Sequence, residues 1–352
     1  MLVNLSFVSP KPTGLSTYAT NLIPHLQKLQ PILLSSQVSN DYDCYPIPGN
    51  LTPDWGSKGH LRRLWWTQWQ LSKIYKQKTS RLLFSPIPEA PLFTNCRYIV
   101  TVHDLIPLRF AKLSPLTAYS RYYIPQVLKG AQHILCNSKA TAKDITYFFG
   151  INPRKITPIL LAHDAENFRF LNLPKSNYFL YAGRQDPYKN LQRLIAAFAA
   201  IPNYHKYQLW IAGTPDARYT PILQALIDKL ELTNYVKFLG YVAYSQLPII
   251  INSAIALVFP SLWEGFGFPV LEAMACGTPV ITSNLSSMPE VALDAAILVN
   301  PYSTAEISQA MVKIANSLEL TAQLSQLGLE RAKEFSWDKT GIATVEVLSR
   351  YL

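Results

Sequence analysis

The sequence has no apolar run approaching the roughly 18–20 residues that a membrane-spanning helix needs. Cysteine is sparse: Cys44, Cys96, Cys136 and Cys276 are scattered, with no C-x-x-C and no Cys/His spacing. That argues against a disulfide frame or a zinc site, and for reduced, mostly buried thiols in a cytoplasmic protein. The sequons at Asn4 and Asn284 carry no meaning in that setting. No strand-like run is followed by G-x-G-x-x-G, which disfavours dinucleotide oxidoreduction. Low-complexity tracts and internal repeats are missing as well. The opening "MLVNLSFVSPKPTG" lacks a basic leader and a small-residue cleavage site, so it reads as a first strand and not as a signal peptide.

Acidic residues are scarce in one half of the chain. Residues 1–170 hold 19 Lys/Arg against 8 Asp/Glu, a net +11, whereas the remainder holds 13 against 14. Such a one-sided field favours an anionic partner: nucleic acid, an acidic membrane surface or a phosphorylated substrate. It does not choose between them. What is present is globular, 49% hydrophobic and 15% charged, and 352 residues suggest about two domains.

Short β-rich runs alternate with helical stretches. The first series of strands is expected at 2–8, 31–35, 81–85, 97–104, 133–137 and 155–161. The second is expected at 178–183, 208–213, 236–240, 256–260, 279–284 and 295–299. Helices are expected between them, at 16–29, 61–78, 139–149, 190–201, 220–232, 245–253 and 269–276. This alternation predicts an α/β protein with two doubly wound, Rossmann-like parallel sheets. With a break near "FRFLNLPKSN", the domains are expected at 1–170 and 171–335, and 336–352 as a helix returning to the first domain. Phe335 and Trp337 are expected as packing anchors. Ligands in such sheets bind beyond the carboxyl ends of the strands, and the polar clusters below all follow strands.

The stretch "FPSLWEGFGFPVLEAMACGTPV" sets Glu264 and Glu272 around Gly265 and Gly267, with a helix expected to begin near Pro269. A glycine-rich entry to a helix N-terminus suits a diphosphate. Two carboxylates bracketing it would repel phosphate, so they fit hydroxyl groups on either side of it. The alternative is a helix cap with a solvated glutamate. In "YAGRQDPYKN", Arg184 and Lys189 lie at a strand-to-helix turn and suit phosphate, or else are plain surface cations. In "VTVHDLIPL", His103 and Asp104 end a strand and suit acid/base work or hydroxyl orientation, or else form a structural pair. In "SPKPTGLSTYATNL", Gly14 permits close backbone approach, or is a simple turn glycine. "DYD" at 41–43 has the form of a metal-binding Asp-x-Asp but follows no suitable strand and reads as a solvated loop. The segment "GHLRRLWWTQWQLSKIYKQKTSR" (59–81) reads as packing against the first sheet, with contact to an anionic membrane as the alternative.

These four clusters, in this order, resemble the retaining GT-B glycosyltransferases of family 4, the glycosyl transferases group 1. The Glu264-x7-Glu272 pattern, the "GR-x4-KN" run, the strand-ending "HD" and the terminal "FSW" carry the resemblance over essentially the whole chain. "RRLWWTQWQL" with "VTVHDLIPLRF" is nearest a mannosyltransferase-like branch. The resemblance implies a nucleotide-diphosphate sugar donor, GDP-mannose or a UDP-sugar, a glycan or lipid-linked acceptor, and polysaccharide biosynthesis. It implies no cofactor, no metal and no nucleic acid. It implies that Glu264 and the backbone of Gly265, Phe266, Gly267 and Phe268 hold the sugar. By the same resemblance Arg184, Lys189 and amides near Val270 and Leu271 hold the diphosphate, and Glu272 binds the ribose. His103 contacts the donor sugar or the departing group, Gly14 lies against the diphosphate, and the base sits near Val242. Where the family has a Gly-Gly pair in the first loop, this chain has Thr13-Gly14. It further implies a cytoplasmic protein, with any membrane contact peripheral, on the inner face of the cytoplasmic membrane. No carboxylate is placed as a nucleophile, which favours front-face displacement. A sugar-nucleotide 2-epimerase of similar fold and a basic nucleic-acid-binding protein are the competing readings.

Overall fold

A computed structural model describes residues 1–9, 13–37 and 41–352. It divides the chain into two compact units. The first is Met1–Leu161 with Ser336–Leu352, and the second is Ala162–Phe335. The boundary therefore falls before the expected break, and the chain re-enters the first unit at Ser336.

The first unit contains β1 (Leu2–Asn4), β2 (Ile32–Ser35), β3 (Asp43–Pro46), β4 (Leu83–Ser85), β5 (Tyr98–Val102), β6 (His133–Cys136) and β7 (Ile156–Pro158). The second contains β8 (Tyr178–Ala182), β9 (Gln208–Ala212), β10 (Val236–Gly240), β11 (Ala256–Phe259), β12 (Val280–Ser283) and β13 (Ile297–Val299). Every pairing is parallel. The order is β3-β2-β1-β4-β5-β6-β7 in one sheet and β10-β9-β8-β11-β12-β13 in the other. Strands such as YFLYA and ALVF, and YIVTV but for Thr101, run apolar because helices cover both faces, and each is buried throughout. The order reverses between β1 and β4 and between β8 and β11. Loops leaving neighbouring strands at such a point diverge and open a crevice.

Besides the short helices Ile106–Arg109 and Met288–Ala292, which were not expected, two elements differ in an instructive way. Asp43 is not in a loop; it opens the edge strand β3, and it is exposed together with Asp41. A single ladder neighbour is enough to hold this strand, so its sequence carries little apolar signal. The second is a helical run through Pro115–Ala118, Tyr119–Tyr123 and Ile124–Gly130, whose middle is a π turn. Its two prolines argue against a helix, but Pro115 lies at the start and Pro125 follows the wide turn, where a missing N–H costs little.

The segment 59–81 belongs to a long helix, Gly56–Trp66, continued by a π turn at Thr67–Leu71 and by Ser72–Gln77. Trp66, Leu71, Ile74 and Tyr75 pack into the core of the first unit. Buried Arg63 lies beneath the helix and donates both Nε and Nη2 to the Glu89 carboxylate at 2.8 Å. The final helix, Trp337–Ser349, packs on Gly14–Leu26, where Gly341 gives the room. A Cβ there would come within 2.2 Å of the His25 ring.

Candidate active site

The loops leaving β8 and β11, on either side of the switch point, carry the charged groups. Gly183 follows β8, and the chain leads through Arg184, Gln185 and Asp186 into a single turn, Pro187–Lys189. Asn190 closes that turn in the left-handed region (φ 66°), and its amide donates to the carbonyls of Pro260 (3.0 Å) and Pro301 (2.6 Å). One side chain thus ties the β8 loop to the β11 loop and fixes where Lys189 points. Lys189 Nζ donates to Glu264 Oε1 at 2.6 Å and lies 5.2 Å from the ring centroids of Tyr188 and Phe259. Both side chains of the pair are largely buried. Arg184 projects into solvent and pairs with Asp186 at 2.8 Å.

The Glu264 loop is held by its own backbone. Its amide donates to Ser286 Oγ (2.9 Å), and its carbonyl accepts from the hydroxyls of Ser286 and Ser287. Ser287 Oγ also donates to the Phe266 carbonyl at 2.7 Å. Gly267 then turns the chain at φ 116°, a conformation a side chain resists, and caps the helix Phe268–Ala275. The amides of Val270 and Leu271 donate to the Gly267 carbonyl at 3.1 and 3.3 Å, so a phosphate would compete with that carbonyl for them. Phe266 is buried, in edge contact with Phe268 and Phe335, and serves the packing of the loop.

Glu272 lies one turn into the helix. Burial, with the Asp164 carboxylate nearby, pushes its carboxyl up to about 8. The Tyr244 hydroxyl donates to Asp164 Oδ2 at 3.2 Å, and Tyr244 is itself held by Asn167, which donates to its carbonyl. Val242, partly buried, stands two residues before Tyr244 on the loop after β10. Glu272, Asp164 and Tyr244 therefore form one group in which a carboxylic acid, a carboxylate and a phenol lie beside the β10 loop.

In the first unit His103 follows β5, and its Nε2 lies 2.9 Å from the Pro86 carbonyl, so Nε2 carries the proton. Burial lowers its pKa to about 4. A neutral ring with a protonated Nε2 leaves Nδ1 as an acceptor. Tyr18 meets the ring edge-on at 4.8 Å. Asp104 accepts from the Ile106 amide at 3.0 Å, just ahead of the short helix Ile106–Arg109. Gly14 is the exposed first residue of Gly14–Leu26, capped by Thr13, whose hydroxyl accepts from the Ser16 amide. Pro10, Lys11 and Pro12 of the same motif lie outside the described residues.

A family model for glycosyl transferases group 1 matches residues 164–331, and one for glycosyltransferase family 4 matches residues 12–167. The chain is a glycosyltransferase. The O-antigen chain mannosyltransferase RfbU of Salmonella typhimurium is 29% identical over 313 residues, 86% of this chain and 87% of that protein. The O-antigen chain mannosyltransferase B of Escherichia coli is 28% identical, over 71% and 69% of the two chains. Among solved structures, sucrose-phosphate synthase from Thermosynechococcus elongatus superposes with a TM-score of 0.79 at 19% identity, covering 99% of this chain and 98% of that one. HepE of Anabaena in complex with UDP-glucose gives 0.75 at 16% identity, covering 99% of both. These likenesses show the GT-B fold.

Within this glycosyltransferase the second unit brings together Lys189 and Glu264, which the sequence motifs assign to different parts of a donor. Arg184 is on the same loop but pairs elsewhere. Asn190, Ser286, Ser287, Asp164 and Tyr244 were not singled out by the motifs. Asn190 is the last residue of the "GR-x4-KN" run, a usable signal, whereas the serines and Asp164 act through contacts distant in sequence. Among the described residues no group of three or more His, Cys, Asp or Glu is gathered to hold a metal, and no helix is long and apolar enough to cross a membrane.

Proposed function

We propose that this glycosyltransferase moves a hexosyl group, mannose first, from a nucleotide-diphosphate sugar to a hydroxyl of a growing glycan or lipid-linked chain, with retention and without a divalent metal. The observation that carries the reading is the Lys189–Glu264 ion pair at the β8/β11 switch point, 2.6 Å long. A lone carboxylate would repel a diphosphate. Neutralised by Lys189, Glu264 can stand beside one and accept from a sugar hydroxyl, while Lys189 and Arg184 offer donors to phosphate oxygens. Glu272, largely protonated at neutral pH, adds little repulsion and can engage the ribose. His103 Nδ1, an acceptor, fits a hydroxyl of the sugar. Mannose is favoured by the O-antigen relatives, which are mannosyltransferases, and the UDP-glucose complex of HepE keeps UDP-sugars in view.

In the step itself the bond from the anomeric carbon to the β-phosphate oxygen breaks, and the acceptor oxygen bonds that carbon on the same face. The acceptor proton passes to the departing phosphate oxygen, so no protein nucleophile is used. The test is nucleotide release from a panel containing GDP-mannose and UDP-glucose, with and without a mannosyl glycan acceptor, and with EDTA. Release that requires acceptor, survives EDTA and gives a product of unchanged anomeric configuration is expected. Lys189→Ala and Glu264→Ala should each lower kcat/KM by about 100-fold or more. Full activity in both variants overturns the site, and interconversion of the donor without acceptor supports the epimerase instead.

A further inference from the structure

The long helix from Gly56 to Gln77 has two unlike faces. One is buried on the core and anchored by the Arg63–Glu89 pair. On the other, exposed positions recur every three or four residues: Lys58, Leu61, Arg62, Trp65, Trp69 and Lys73. Leu61, Trp65 and Trp69 are 60–65% exposed, although each would gain by burial and nothing in the core of the unit uses them. No acidic residue occurs between Asp54 and Glu89. The helix adjoins the run Pro115–Gly130, for the His60 ring meets Tyr119 at 4.9 Å and Gln68 bonds to the Tyr123 hydroxyl at 3.0 Å. That neighbour lies in a second acid-free stretch, from Leu105 to Lys143, which exposes Leu113 and Leu116.

We propose that this face of the first unit docks on an anionic lipid surface. Trp65 and Trp69 sit at headgroup level, and Lys58, Arg62 and Lys73 meet lipid phosphates. Tryptophan prefers the membrane–water interface, where its ring is in apolar surroundings and its N–H stays wet. Basic residues beside it add attraction to anionic headgroups. A second copy of the chain is disfavoured, because self-association through this face would bring basic residues onto basic residues. A protein partner would have to be acidic along the whole helix, whereas an anionic bilayer supplies that charge everywhere.

Co-sedimentation of the full chain with phosphatidylcholine vesicles, alone or with 30% phosphatidylglycerol, tests this, the 30% being about a third of the lipid as an arbitrary anionic load. Binding should require the anionic lipid and weaken in high salt. Charge reversal at Lys58, Arg62 and Lys73 should weaken it by at least about fivefold per residue. Trp65→Ser with Trp69→Ser should cut quenching of the protein's fluorescence by bromolipid to what Trp55, 57% exposed at the start of the same helix, can supply, with the melting temperature and donor turnover on a soluble acceptor unchanged. Equal binding to both vesicle types, or quenching undiminished in the double variant, overturns the proposal. So does a concentration-dependent dimer, seen by sedimentation without lipid, that the same variants dissociate.

Discussion

At the residue scale, two side chains hold protons in unusual ways, and each has a measurable consequence. Glu272 keeps its proton up to about pH 8 in the folded chain, but in an unfolded chain it would release it near 4.5. Between those values the folded state binds the extra proton, so this group's contribution to stability falls as the pH rises from about 4.5 to about 8. Glu272→Gln should therefore flatten the decline in melting temperature between pH 5 and 8.5, by roughly 2–4 °C for each kcal/mol relieved. A variant whose melting curve tracks the parent across that range would show that Glu272 is not the group responsible. His103 is displaced the other way: its folded pKa of about 4 lies below the usual 6.5. The unfolded state binds its proton first, so stability is lost as the pH falls from about 6.5 to about 4. The ring is neutral wherever the enzyme is assayed, and its role is that of an acceptor. His103→Gln should lower kcat/KM by about 100-fold yet leave the shape of the pH–rate profile between pH 6 and 9 unchanged. An inflection near pH 6.5 that vanishes in this variant would show that the ring titrates during turnover.

At the scale of elements, the glycines that follow β8 and β9, Gly183 and Gly213, set how closely the two loops can lie. Gly213 has φ 151°, and a Cβ there would come within 1.9 Å of the Gly183 carbonyl oxygen. Because the obstacle is backbone, Gly213→Ala should cost about 3 kcal/mol and shift the turn that carries Arg184, which thermal melting and donor KM would both register. An alanine variant with parental stability would mean that the two loops are free to part. Elements of this kind were also the legible ones. Strands buried on both faces, such as YFLYA and ALVF, announce themselves by unbroken apolar sequence, and the helix start beside Gly267 by its glycine and proline. Edge strand β3 and the run Pro115–Gly130 did not, because one has a single neighbour and the other is helical despite its prolines. For the candidate site, the placement of Arg184, Lys189, Glu264 and Glu272 at strand ends and at a helix start was legible in their motifs. It was not legible where the partner is remote in sequence: that Lys189 would be held by Glu264, or the Glu264 loop by Ser286 and Ser287, follows only from strand order.

At the scale of the whole molecule, the first unit is completed by residues from beyond the second. Helix Trp337–Ser349 covers Gly14–Leu26, with Thr340 Oγ1 donating to the Leu160 carbonyl at 2.8 Å and Asp338 lying 3.7 Å from His25. Gly341→Ala would press a methyl group into the His25 ring, and should destabilise the first unit by about 1–3 kcal/mol while leaving the second unchanged. Hydrogen exchange resolved by peptide distinguishes the two: protection should drop in residues 14–26 and not in 178–182, and a uniform drop would contradict the division into units. The same connectivity imposes an order of assembly during synthesis. The first unit begins to emerge first, yet its closing helix follows only after all of residues 162–335 have been translated. At ordinary elongation rates that interval is on the order of ten seconds or more, far longer than a parallel sheet of this size needs to collapse. For that time the face of Gly14–Leu26 that includes buried Tyr18 and Leu22 lacks its cover. A nascent chain stalled before residue 336 should therefore be a better chaperone client than one extended past residue 350.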